Sequence, residues 1–360
     1  SVKIVYTPLH GTGAVHVEKV LGDLGFNVIT VPEQRKPDGS FPTVSYPNPE
    51  DPKALKMAIE LAEKEGADIL MATDPDADRF ACAVKDRNGK MRLISGNQLG
   101  ALFTDYICLT LKEKGLLPKN AAVVRSIVTS PLSDLIAASY GVKTVECLTG
   151  FKWIASVMNG YDEKKNYNYI FGFEESYGYK IEKEAFDKDG ISAAAMCAEM
   201  TMYWRSKGKS LLEHLDDMYK EYGYFEDRAI SKYFEGQQGV AVMTGIMTKI
   251  RSEGLKSLGG KRVVKIRDIE LSVEFDPANP AAKTAIDFPK SNVLQFFLED
   301  GSFVSARPSG TEPKIKFYIN GTAPVAGGDD AGLAKAKKEA GALCDAIEAE
   351  IKKTLDDASK

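Results

Sequence analysis

The sequence has no CxxC pair. Its five cysteines, Cys82, Cys108, Cys147, Cys197 and Cys344, are odd in number and scattered. That argues against a disulfide framework and against a zinc site. Histidine is scarcer still. His10, His16 and His214 share no metal-ligand spacing, and no Ser/His/Asp constellation can be read. No run of about eighteen apolar residues occurs, so no transmembrane helix is expected. The opening SVKIVYTPLHGTG lacks a charged segment followed by an apolar one, so it is not a secretory signal. Neither sign of charge prevails: 47 basic residues face 51 acidic ones, for a net charge of −4. Such a balance provides no broad basic surface for nucleic acid, and any bound anion must be held by a local cluster. These absences predict a cytoplasmic protein with neither nucleic-acid nor membrane partners. The chain also lacks an initiator Met and opens directly on a strand-like run, as a piece of something longer would.

What remains is ample material for cores. The 360 residues are 44% apolar and 27% charged, a soluble globular balance with room for two or three domains. Strand-like runs alternate with helical periodicity over the first two thirds. KIVYT, FNVITV and DILMAT read as strands. Between the last two lies a helix over DPKALKMAIELAEKEG, with Asp51 as its N-cap and Gly66 past its end. FACAV and MRLI read as a hairpin, and Ser95 caps a helix to about Lys114. A second unit of the same kind follows GLLPKN, with AAVVRSIV, KTVECL and NYIFGF as strands and a long helix from near Asp189. After about residue 225 the pattern changes. A helix over 239–253 precedes alternating runs joined by short turns, which suggest an antiparallel sheet, and a charged helix ends the chain. The expected fold class is α/β: two doubly wound mixed α/β domains (1–118 and 119–225), then an α+β domain (226–360) with an antiparallel sheet.

One short stretch stands out. ATDPDADRF places Asp74, Asp76 and Asp78 at every second position, followed by Arg79. Three close carboxylates raise one another's pKa unless a cation or a set of donors holds them. An EF-hand would need Gly at the sixth position and a carboxylate at the twelfth, where Arg79 and Lys85 stand. A haloacid-dehalogenase-type phosphatase would want Thr or Val in place of Asp78. A magnesium site at the carboxyl end of a parallel strand fits the spacing, because alternate residues of an extended loop point the same way. A solvated acidic turn fits it equally well.

Three further motifs carry polar chemistry. FGFEESYGYKI sets Glu174 and Glu175 just after a strand, where in a loop they can converge on sugar hydroxyls. ARPSGTEPK holds Arg307, Ser309, Gly310, Thr311 and Lys314 between prolines, the composition of a rigid phosphate cradle or of a plain hairpin. HGTGAVH, with Gly11, Gly13 and Glu33 about twenty residues on, approaches a dinucleotide fingerprint, but His16 occupies the place of the third glycine.

Taken together, YTPLHGTG, TDPDADR, TGFKW, GFEESYGY with KDGI after it, and RPSGTEPKIKFY resemble the α-D-phosphohexomutase family, the phosphoglucomutases and phosphomannomutases, in family order over the whole chain. The resemblance implies domains two to four of such an enzyme. The commoner metal loop has glycines where Pro75 and Ala77 stand. This variant, with GFEESYGY, is similar to the branch acting on glucose or pentose phosphates, which favours glucose and weakens mannose. The family's first domain carries a Thr-Ala-Ser-His-Asn-Pro segment with a phosphorylated serine, and no such segment occurs here. Ser126 and Ser130 sit near a strand end but lack the His-Asn-Pro sequel.

By resemblance, the intact enzyme interconverts hexose 1-phosphate and hexose 6-phosphate through phosphoserine and a hexose 1,6-bisphosphate. Asp74, Asp76 and Asp78 hold Mg²⁺, Arg79 stabilises the transferring group and Lys152 is the general acid/base. Glu174, Glu175 and Ser176 read sugar hydroxyls, while Arg307, Ser309, Gly310 and Thr311 grip the phosphate that is not reacting. Without the phosphoserine domain this chain is expected to be inactive alone. The alternatives are a non-catalytic sugar-phosphate-binding fragment and a Mg²⁺-dependent phosphatase.

Overall fold

A computed structural model describes residues 2–164, 166–234, 239–309 and 313–357. The chain divides into two compact units, 1–217 and 218–360. Its fold class is the expected one: mixed α/β sheets followed by an antiparallel sheet with helices.

The first unit opens with β1 (Lys3–Thr7), α1 (Ala14–Asp23), β2 (Asn27–Thr30), α2 (Pro32–Arg35), α3 (Lys56–Glu65), β3 (Ile69–Thr73), β4 (Phe80–Lys85) and β5 (Met91–Ile94). These strands form one sheet in the order β2-β1-β3-β4-β5. β1 runs parallel to β2 and β3, and the hairpin β3–β4–β5 is antiparallel. Every residue of β3 is buried, as its ILMAT sequence requires of a central strand. Val5, Leu70, Ala72 and Ala83 pack with Ala58 and Ala62 of α3. Asp51 does not cap that helix. Its side chain accepts from Lys53 N (2.9 Å) and its carbonyl from Ala54 N (2.9 Å), so residues 52–55 form turns and the helix begins at Lys56. The short carboxylate satisfies the local backbone instead of the helix end.

Next come α4 (Gly96–Glu113), β6 (Ala121–Ser126), α5 (Leu132–Ser139), β7 (Lys143–Cys147), α6 (Phe151–Lys164), β8 (Asn168–Glu174), β9 (Gly178–Lys180), α7 (Gly190–Ser206) and α8 (Leu211–Tyr222). The sheet order is β7-β6-β8-β9, with β6 parallel to both neighbours and β9 antiparallel to β8. Ser95 caps α4 in a full capping box with Gln98, and Asp189 caps α7 through the Ile191 and Ser192 amides. The helices cross between sheets. α4, which follows the first sheet, packs on β8 of the second, with Phe103 edge-on to Phe171 at 5.9 Å and to Tyr179 at 5.2 Å. α7, which follows the second sheet, packs on β3 and β4 of the first.

The second unit contains β10 (Tyr224–Tyr233), α9 (Gly239–Glu253), β11 (Ser257–Leu258), β12 (Lys261–Asp268), β13 (Val273–Phe275), β14 (Lys283–Ala285), β15 (Leu294–Leu298), β16 (Phe303–Pro308), β17 (Lys314–Ala323) and α10 (Asp330–Asp357). The sheet runs β10-β17-β16-β15-β12-β13-β14, antiparallel at each pairing, with β11 on β12. Met243, Ile246, Met247 and Ile250 of α9 join Leu343, Cys344, Ile347 and Ile351 of α10 in its core. Among the described residues no helix is long and apolar enough to cross a membrane.

Candidate functional site

Thr73 pairs with Phe80 across β3 and β4, so residues 74–79 are the turn of a hairpin at the carboxyl end of β3. Ala77 N donates to Asp74 O at 3.0 Å, and Ala77 has φ +60°. That is the left-handed region glycine occupies most easily, at a position where the resemblance expects glycine. The turn lies against the glycine-rich stretch near the N-terminus. Thr12 N donates to Pro75 O at 2.8 Å, and a Cβ on Gly11 would fall 2.3 Å from Pro75 Cα. The HGTG glycines thus have a packing cause, the close seating of the aspartate turn.

Inside the turn the carboxylates differ. Asp74 is only 2% exposed. Its Oδ1 accepts from Arg79 N (3.0 Å) and its Oδ2 from Arg79 Nε (2.6 Å). Arg79 is in turn held by Asn48, whose Oδ1 accepts from Nη1 at 3.3 Å, and by Glu50 at 3.5 Å. Asp76 is exposed, and Asp78 pairs with Lys188 Nζ at 2.5 Å. Burial pushes the Asp74 carboxyl up to about 6, against the pull of the Arg79 bonds.

One oxygen from each of the three aspartates lies within 4.8 Å of the others. On octahedral Mg²⁺ neighbouring ligands stand about 3 Å apart and opposite ones about 4.2 Å, so the three oxygens would have to draw together around the ion. The donors are all hard oxygens. The turn therefore suits a hard divalent cation.

The second loop lies beside this turn. Phe80 N donates to Tyr177 O at 3.0 Å, and Arg79 bridges to Gly178. Glu174 and Glu175 do not share a target. Glu174, 5% exposed, accepts from Gly150 N at 2.5 Å, whereas Glu175 Oε2 accepts from Ser126 Oγ (3.0 Å) and Thr129 Oγ1 (3.3 Å). The two carboxylates thus engage different loops, one before α6 and one after β6. Ser176 follows, half-buried. Lys152 is exposed in the first turn of α6, with Nζ 5.3 Å from the Trp153 ring centroid. The neighbouring Phe151 ring lies 5.9 Å from Lys188 Nζ, so Lys188 links this helix start to Asp78.

Arg307 belongs to the second unit, half-buried on β16 opposite Lys316. Ser309 N donates to Lys314 O at 2.7 Å across the same hairpin. Gly310 and Thr311 lie outside the described residues.

Sequence reasoning missed Asn48, Glu50, Lys188, Ser126, Thr129 and Gly150 as partners of the predicted residues. The KDGI motif contains Lys188 and the TGFKW motif contains Gly150, and those motifs were the available signals. The other contacts are long-range and leave no trace in local spacing.

Comparison with known proteins bears on this arrangement. Residues 1–89 match the family described as phosphoglucomutase/phosphomannomutase, alpha/beta/alpha domain II; residues 95–222 match its alpha/beta/alpha domain III; residues 248–329 match its C-terminal domain. A phosphoglucomutase of Staphylococcus epidermidis is 39% identical over 319 residues, 88% of this chain and 57% of that protein. One from Staphylococcus aureus is 38% identical over 319 residues, 88% of this chain and 56% of that protein. The chain thus spans a little over half the length of these relatives. A crystal structure of a putative phosphomannomutase from Thermus thermophilus is similar in fold, with a TM-score of 0.65 and 17% identity over 98% of this chain and 61% of that one. On its matched domains and on these relatives, the chain belongs to the phosphoglucomutase/phosphomannomutase family.

Proposed function

We propose that the protein to which these residues belong interconverts hexose 1-phosphate and hexose 6-phosphate, with glucose favoured and mannose or pentose as the alternatives. The observation that carries this reading is the aspartate turn, with three carboxylates grouped at the end of β3 and an arginine fastened within it. The names of the relatives point to the same chemistry.

In this reading Asp74, Asp76 and Asp78 hold Mg²⁺, which neutralises charge developing on a transferring phosphoryl group. Arg79 is aimed by Asp74, Asn48 and Glu50 and stabilises that group. Lys152 is the general acid/base, and Glu174, Glu175 and Ser176 read sugar hydroxyls. Arg307, Ser309, Gly310 and Thr311 bind a phosphate that does not react. The carrier is a phosphoserine that these 360 residues do not supply, and hexose 1,6-bisphosphate is the intermediate.

A phosphatase would need an aspartate oxygen free to attack phosphorus. Asp74 has both oxygens bonded to Arg79, whereas Asp76 is exposed, so phosphate release by the chain with Mg²⁺ would favour that second reading.

Calorimetry tests the reading. Mg²⁺ should bind the chain weakly, since the carrier's phosphate would complete its coordination, and Asp76→Asn should weaken it further. Glucose 1-phosphate should bind more tightly with Mg²⁺ than without. Identical isotherms for wild type and Asp76→Asn would remove the metal from this turn and the mutase reading with it.

A further inference from the structure

At the end of the first sheet away from the aspartate turn, the first unit holds a cavity of about 400 Å³. Ile69 pairs with Val84 at this end and Thr73 with Phe80 at the other. The length of β3, roughly 17 Å at about 3.4 Å per residue, therefore separates the cavity from the turn. Its walls come from the residue before β3, the end of β4, the last turns of α7 and the turn into α8. The volume lies in the range of small-molecule sites, about 300–1,000 Å³.

The lining is one-sided in charge. Lys85, Arg205 and Lys209 face a single carboxylate, Asp68, among the described residues that form it. Asp68 is already engaged: its Oδ2 accepts from Lys3 N at 2.8 Å and pairs with Arg205. Lys209 pairs with Asp217 at 2.7 Å, but the two side chains are 47% and 40% exposed. Exposed pairs hold little energy and exchange partners readily. Lys85 is half-buried and pairs with no carboxylate among the described residues. Its Nζ donates to Gly66 O at 3.2 Å, and an ammonium has two more protons to give. The rest of the wall is apolar. Val84 and Leu211 are buried, and the Thr201 hydroxyl donates away to Cys197 O at 2.6 Å, which leaves its methyl for the cavity.

We propose that this cavity is a second anion site and that it takes a small organic phosphate. Arg205 supplies a planar fork for the phosphate oxygens, and Lys85 and Lys209 supply compact charges beside it. Val84, Leu211 and the Thr201 methyl pack against the carbon body of the ligand. A bare ion would leave that apolar wall and most of the volume unfilled. None of these residues belongs to the aspartate turn, the glutamate loop or the proline-bracketed hairpin, so the proposal does not rest on the hexose-phosphate reading.

Glycerol 3-phosphate is the probe, a phosphate on a short carbon body, with glycerol and inorganic phosphate as controls. In amide NMR spectra of the 360-residue chain, it should shift Gly208, Ser210 and Leu211 along a saturating curve. Glycerol should not shift them, and inorganic phosphate should do so more weakly. Lys85→Gln should weaken the probe at those amides by about tenfold, the scale of one hydrogen bond to a charged group, and Lys85→Arg should restore most of the loss. Lys209→Gln, at a more exposed position, should weaken it in the same direction with the urea midpoint unchanged. Arg307→Ala, in the second unit, should leave these shifts as they are. Silent amides at 208–211, or shifts that survive both Lys85→Gln and Lys209→Gln, overturn the site. Inorganic phosphate binding as tightly as the probe would mean an adventitious anion only, and overturns the organic ligand.

Discussion

At the scale of single residues, Asp74 has the most measurable chemistry. Its folded-state pKa of about 6 lies above the ordinary aspartate value because the carboxyl is buried. A raised carboxyl stabilises the fold only while protonated. That contribution is complete below the ordinary aspartate value and is lost as pH rises through about 6. Above that pH the turn is charged, and a divalent cation offsets the charge. Mg²⁺ must displace the Asp74 proton at lower pH, so its affinity at pH 5.5 should be about fourfold below that at pH 7.5. Calorimetry at the two pH values checks this, and a flat profile would place the ion away from Asp74. The three aspartates were legible in the sequence because their spacing is itself the signal. Lys188 on Asp78, and Asn48 with Glu50 on Arg79, were not. Those pairs are joined by the folding of distant segments, which residue spacing does not encode.

At the scale of elements, the legible parts were those with local stereochemical punctuation. Ser95 and Asp189 cap the helices predicted from them, and Gly66 ends α3 with φ +63°. The N-cap expected at Asp51 failed because its carboxylate closes a local turn instead. β10 was missed because four of its ten residues are charged and most of it is only partly buried, and β13 and β14 because each has three residues. The crossing of α4 and α7 between sheets was also invisible, since periodicity gives the apolar face of a helix without its partner. One consequence concerns Gly96, the first residue of α4. A Cβ there would lie 1.9 Å from the Glu175 carbonyl oxygen, a backbone atom that cannot turn aside. Gly96→Ala should therefore destabilise the protein by about 1–3 kcal/mol, the usual scale of overpacking. Gly160, on α6, has open space where a Cβ would stand, with no neighbouring atom within 4 Å, and Gly160→Ala should stabilise by about 0.5–1 kcal/mol. Urea midpoints of the two variants should move in opposite directions, and a neutral Gly96→Ala would show that α4 and the Glu175 loop are not in close contact.

At the scale of the whole molecule, the order of the motifs carried the family, while the reaction requires more than those motifs. Phosphoryl transfer between two positions of one sugar needs a group that accepts the phosphate from one end and returns it to the other. The three serines singled out in the sequence are poorly placed for that duty. Ser126 is fully buried and bonded to Glu175. Ser130 is 3% exposed, and its amide is held by Asn97. Ser309 lies in the other unit, on the hairpin proposed to bind phosphate. Without a carrier, a metal held by the turn and Arg79 would have only water to activate. The 360-residue chain should bind glucose 1-phosphate without converting it to glucose 6-phosphate, even with Mg²⁺ and a trace of the 1,6-bisphosphate, and should show at most slow hydrolysis. Supplying the amino-terminal segment of a related phosphoglucomutase as a separate polypeptide should restore weak turnover that rises with the concentration of that segment. A covalent link normally holds the two at a high effective concentration, and its loss makes docking bimolecular. Turnover should then fall to background when the carrier serine of the added segment is replaced by alanine. Robust conversion by the chain alone would locate the carrier within these residues and overturn the division of labour proposed here.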